Sequence, residues 1–218
     1  MNIIAETNVG SHVWQMNHKD SDIDIFRIYV EEIQNILNGT ATQKSYFING
    51  TDDIAIHEIE VVVNQLLKGN INFIVGVCSP IVDKTTKEFE ILKNLTTNHL
   101  AKNCYHSIHG MAIHNFKKYE IEMTEKKMNQ IIRTLFFGIN ILRHNKIVFQ
   151  PVIDGTIKKY HETMDILKDC YEKSTLPEKP EEKPFRDFLL QLRLKQLYKD
   201  DPLTKLWDNP YDERWNDI

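Results

Sequence analysis

The chain lacks most of the features that would place it outside a reducing compartment. It has three cysteines, Cys78, Cys104 and Cys170, which are odd in number, widely spaced and never arranged as Cys-x-x-Cys. That pattern excludes a disulfide framework and a cysteine-based zinc site. Long hydrophobic runs are also missing. The most apolar stretch, near Ile71 to Val82, is short and broken by Gly76, so neither a signal peptide nor a membrane span is read, and a cytoplasmic protein with no membrane partner is expected. Positive charge is not in excess either: 27 Lys and Arg face 31 Asp and Glu, for a net charge of −4. A general nucleic-acid binder is usually basic, so a grip on RNA here requires a local patch. Lys117, Lys118, Lys126, Lys127, Arg133, Arg143, Lys146, Lys158 and Lys159 can form one, although solvated helix faces explain the same residues.

What is present is an acidic motif behind a small turn, in a chain of 218 residues with 41% hydrophobic content, enough to bury a genuine core. Gly10-Ser11 precedes Ser21-Asp22-Ile23-Asp24-Ile25. In a strand, side chains alternate between faces, so Asp22 and Asp24 point one way, while Ile23, Ile25 and, farther along, Ile28 and Val30 are expected to supply the core. Two carboxylates at that spacing can hold one hard cation, Mg2+ or else Mn2+, together with substrate phosphates. Gly10 permits close backbone approach, and Ser11 offers a hydroxyl and an amide to a phosphate. Asp-x-Asp alone is common on solvated strand edges, so a third acid matters. Asp53 opens the alternating segment Asp53-Ile54-Ala55-Ile56-His57, and a neighbouring strand can bring it beside the first pair. Asp52 is off by one, and Glu58, at the start of the next helix, is the reserve candidate. His57 shares the Asp53 face, where it either lines a nucleotide pocket or caps the following helix.

The stretch GSHVWQMNHKDSDIDIFRIYV resembles the Gly-Ser…Asp-x-Asp signature of the DNA polymerase β-like nucleotidyltransferase superfamily. Its Ser-Asp-x-Asp form is similar to one branch, the predicted nucleotidyltransferases that include the RNA-repair ligase/Pnkp-associated proteins. DDIAIHEIEVVVNQLLKGNINFIVGVCSPIV, YHSIHGMAIHNFKKY and KKMNQIIRTLFFGINILRHNKIVFQPV resemble later blocks of that branch, so the likeness covers roughly residues 3 to 152. The helix that stands in front of the Gly-Ser turn in larger members is not expected in this sequence. The resemblance implies an α+β fold, with a polymerase-β-like core of small mixed sheet and helices plus a C-terminal helical region. It implies Asp22, Asp24 and Asp53 as catalytic metal ligands, and Gly10, Ser11, Ser21 and His57 as nucleotide-binding residues. Lys127 and Arg133 match basic positions of its helical blocks, for triphosphate or acceptor contacts. The implied reaction moves a nucleoside monophosphate from an NTP to an acceptor hydroxyl with loss of pyrophosphate, the acceptor being an RNA end, tRNA foremost. Other branches modify a protein side chain or a small molecule. An inactive nucleotide-binding protein is the third reading, against which the intact acids argue.

The organisation follows from periodicity. Residues 1–85 form an αβ core with strands at Ile3–Asn8, Asp22–Val30, Lys44–Ile48 and Ile54–Ile56, then a helix from Glu58 to Lys68; Asn70–Val77 reads equally as a helix or a buried strand. Residues 86–173 read as helices at Lys87–Leu100, Asn103–Tyr119, Glu125–Arg143 and Gly155–Lys173, with Asn145-Lys146 as a stop, and form the other wall of a cleft. Within them Cys104, His106, His109 and His114 fit no common zinc spacing. Residues 174–184 are a charged, proline-punctuated linker unable to hold a helix, and 185–218 a helix from Phe185 to Tyr198 plus a tail. That helix is expected to dock on the body or on a second copy of the chain, and Trp207, Tyr211 and Trp215 on a partner.

Overall fold

Two strands flank the Gly-Ser turn, β1 (Asn2–Val9) and β2 (Ile23–Val30), and they pair antiparallel, so the turn sits at one end of a long hairpin. The structure is a computed structural model, which describes residues 2–19, 21–41, 44–48, 50 and 52–198. After β2 come a short helix, α2 (Ile33–Leu37), and an edge strand, β3 (Ser45–Ile48); β4 (Asp52–Glu58) then slots between β3 and β2, parallel to β2. With β5 (Val82–Lys84) added outside β1, the sheet has five strands in the order β3-β4-β2-β1-β5. The mixed sheet and its helices make an α+β protein, consistent with a polymerase-β-like fold.

Helices α3 (Ile59–Leu67) and α4 (Ile71–Cys78) follow β4. Asn70 caps α4 by accepting a hydrogen bond from the Asn72 amide, and Ile71, Ile74, Val77 and Cys78 are buried, so the apolar run that periodicity left open is a helix. Gly76 lets it approach the sheet, since a Cβ there would stand 2.6 Å from the Phe26 ring, and the Thr7 hydroxyl donates to the Gly76 carbonyl at 2.7 Å.

One expectation about faces is corrected. Asp24 shares its face of β2 with Phe26, Ile28 and Val30, all three buried, whereas Ile23 is 38% exposed and Arg27, on the Ile23 face, pairs with Glu6. Strict alternation puts even-numbered residues together, so the acids stand at the open end of the core face and not opposite it.

Four helices follow: α5 (Lys87–Asn98), α6 (Cys104–Glu122), α7 (Glu125–His144) and α8 (Ile157–Lys173). Thr124 caps α7, and Asn145, in the left-handed region at φ 50°, ends it at the stop read from sequence. α7 buries Met128, Ile131, Ile132, Leu135 and Phe137, and the buried side chains run as one cluster from Ile4 to Leu192. The last described helix, α9, spans Glu182–Leu197, so it begins inside the segment expected to be linker. Pro184 lies in its first turn, where the missing N–H costs no helical hydrogen bond. The remaining linker is tied down, its Pro177 and Glu178 carbonyls accepting from the Lys102 and Asn103 amides. Trp207, Tyr211 and Trp215 lie outside the described residues. Among the described residues no helix is long and apolar enough to cross a membrane.

Candidate active site

The parallel register between β2 and β4 puts Asp24 directly beside Asp53, and alternation then lines up Phe26 with Ala55 and Ile28 with His57. Of the third-acid candidates, Asp53 is therefore the one on the Asp24 face. Asp52 pairs with Ile23 on the other face. Glu58 also points away; its carboxylate is 2% exposed, accepts from the Arg193 guanidinium at 2.6 Å, and caps α3 through the Glu60 amide at 2.7 Å. The reserve role for Glu58 is thus corrected: it is a cap and a structural ion-pair partner, already satisfied.

Gly10 opens the single-turn helix α1 (Gly10–Val13) at φ 67°, and a Cβ on it would overlap the Asp24 carboxylate. Both facts demand glycine: the left-handed backbone, and an acid packed against its Cα. Ser11 sits beside it in α1, its carbonyl accepting from the Trp14 and Met16 amides. Ser21 accepts from the His18 amide at 2.7 Å and so shapes the loop entering β2. Burial pushes the Asp24 carboxyl above its ordinary value; Asp22 and Asp53 push it further, while His12 and Arg133 pull it back.

Arg133 of α7 faces these acids. It is largely buried, its guanidinium lies 4.8 Å from the centre of the Trp14 ring, and Nη1 reaches only the Met16 sulfur, at 3.9 Å. Its Nε is buried without a partner, as is Nε2 of His12. Burial brings its pKa down to about 10, which leaves it charged at neutral pH. A buried guanidinium with no ion pair among the described residues is costly unless an anion joins it. Lys127 is placed otherwise: it pairs with Glu122 and is not in the cavity wall. Lys158 is likewise engaged with a carboxylate, Glu162, at 3.8 Å, so the expected basic patch is partly neutralised.

A cavity of about 450 Å³ lies between the sheet, α4, α6 and α7, and of the three acids its lining includes Asp24. Gly10, Asp24 and Arg133 border it with Trp14; His57 borders it with Phe26 and Phe73, ring centres 4.9 and 4.7 Å away. His57 shares a 2.6 Å hydrogen bond with Ser45 through Nδ1, and burial lowers its pKa to about 4, so it is neutral at pH 7. The capping of α3 falls to Glu58, and His57 lines the cavity. His106 and His109 pack against Tyr105. Sequence reading missed His12, Trp14 and Met16. They follow the glycine turn in sequence, but only the packing of α7 reveals that Trp14 and Met16 meet Arg133.

Among the described residues no three His, Cys, Asp or Glu side chains are drawn into a ligating cluster. The donors nevertheless suit a hard divalent cation: two carboxylates in register, a third two residues away, and a repulsion between them that a cation would relieve.

No curated protein matches the chain. The profile of the RNA repair pathway DNA polymerase beta family (RlaP) matches residues 1–214. That match spans nearly the whole sequence and is consistent with the α+β fold, so the protein belongs to the RNA repair pathway DNA polymerase beta family, a polymerase-β-like nucleotidyltransferase branch.

Proposed function

We propose that this protein transfers a nucleoside monophosphate from an NTP to the hydroxyl of an RNA end, tRNA foremost, and releases pyrophosphate. The observation that carries the reading is the pairing of Asp24 with Asp53 across parallel strands, with Gly10 pressed on Asp24 and the uncompensated Arg133 facing it. Asp22, Asp24 and Asp53 would hold Mg2+, or Mn2+ in its stead. Bound there, the cation lowers the pKa of an attacking hydroxyl and neutralises charge on the triphosphate. Arg133 supplies a fixed positive charge to the phosphates, held over the Trp14 ring so that little reorganises as negative charge develops. Gly10 and Ser11 bring backbone close to the same phosphates. The three carboxylates orient the acceptor for in-line attack on the α-phosphorus, and Asp53 is the one to receive its proton.

The test incubates the full chain with Mg2+, each α-labelled NTP in turn, and total tRNA. Label is expected in RNA, dependent on Mg2+ and absent with Asp24→Asn. Label entering protein without RNA, or wild-type turnover by Asp24→Asn, overturns the reading.

A further inference from the structure

The cavity has two chemically distinct ends, and the reaction uses only one. Among the described lining residues the charged groups are Asp24 and Arg133, drawn together beside Gly10. Four residues along β4 from Asp53, a reach of about 13 Å in an extended strand, charge gives way to the rings of His57 and Phe73, with Phe47 at the exposed rim, while Trp14 is the ring that stands with Arg133. Asn72, Asn115 and Gln130 border the same cavity from α4, α6 and α7. Among the described residues none of the three is tied up by a side-chain hydrogen bond. Flat faces with unspent amides are what a planar heterocycle requires, stacking for affinity and paired donor and acceptor atoms for identity.

The choice of heterocycle follows from which polar groups are there. Arginine and lysine pair with guanine, carboxylates with the cytosine amino group, and Asn or Gln with the N6 and N7 edge of adenine. We infer that the ring-lined end of this cavity is a base seat that takes adenine, stacked on Phe73 beside His57 and read by the amides of Asn72, Asn115 and Gln130. The inference rests on the nucleotidyl-transfer reading and adds the identity of the nucleotide. His57 serves the seat as a neutral ring: Ser45 fixes its orientation, and its low basicity keeps a cation away from the base.

The test measures binding of ATP, GTP, CTP, UTP and inorganic tripolyphosphate, the last as a probe without a base, to the full chain with Mg2+ by calorimetry. ATP is expected to bind at least about tenfold more tightly than tripolyphosphate and than each other nucleotide. Phe73→Leu, which keeps apolar bulk and removes the ring, should bring ATP close to tripolyphosphate and leave tripolyphosphate unchanged. Gln130→Ala should narrow the gap between ATP and the other three. An ATP affinity untouched by Phe73→Leu, or another nucleotide bound as tightly as ATP, overturns the seat. If label is transferred but all four nucleotides bind alike, the seat falls and the reaction stands. If ATP binds in the expected pattern but no label moves, the reaction falls and the seat stands.

Discussion

Two arginines, one on α7 and one on α9, are treated in opposite ways. Arg193 of α9 meets Glu58 at 2.6 Å, donates to the Glu31 carbonyl at 3.0 Å, and thereby ties the C-terminal helix to the end of β4. Arg133 of α7, on the cavity side, has a tryptophan face and a thioether for company, and its nearest acid, Asp24, is itself crowded by Asp22 and Asp53. Where charge serves the fold it is matched inside the chain. At the cavity it is left without an ion pair among the described residues, with like charges gathered around Asp24. Glu58 and Asp53 are five residues apart on one strand, and strand parity alone sends one to each side.

That contrast can be broken in order of effect. Asp24→Asn should lower nucleotidyl transfer by at least about a hundredfold while thermal melting is unchanged or improved, because a repulsion is removed; a large loss of Tm would make Asp24 structural after all. Glu58→Gln should do the reverse, costing about 3 kcal/mol in denaturant unfolding, since it strands the Arg193 guanidinium, while the folded fraction keeps its turnover. Gly10→Ala should cost roughly 1–3 kcal/mol from backbone strain and also displace the Asp24 carboxylate, so stability and activity fall together. Arg133→Met should raise KM for the nucleotide about tenfold with no loss of stability, the opposite of Arg193→Met.

A separate effect is on pH dependence. His57 has a folded pKa of about 4 against an ordinary 6.5, so between those values the unfolded chain binds more protons. Stability from keeping His57 neutral is present above pH 6.5 and lost as pH falls toward 4. Wild type should therefore lose Tm more steeply over that window than His57→Gln, and equal slopes would show that His57 is not buried as described.

Much of this was legible before any coordinates, and the reasons are local. The strands on either side of Gly10-Ser11, the α3 and α7 periodicities and the Asn145 stop are set by alternation, by apolar spacing and by one residue tolerant of a positive φ. The face of β2 was misread because Ile23 and Ile25 look like core residues until the helices above the sheet are known to cover Phe26, Ile28 and Val30. Pro184 looked like a breaker because its place in a first turn depends on where the helix begins.

The sequence by itself determined the acids, the glycine that must stand beside one of them, and the alternation that groups Asp53 with His57. Only the tertiary structure decided that β4 lies parallel to β2 in the register that joins Asp24 to Asp53, that Glu58 belongs to Arg193, and that Arg133 closes the cavity over Trp14. Side-chain parity and backbone tolerance act over a few residues and can be read along the chain. Strand register and ion pairing between residues 135 positions apart are settled only when the whole core packs.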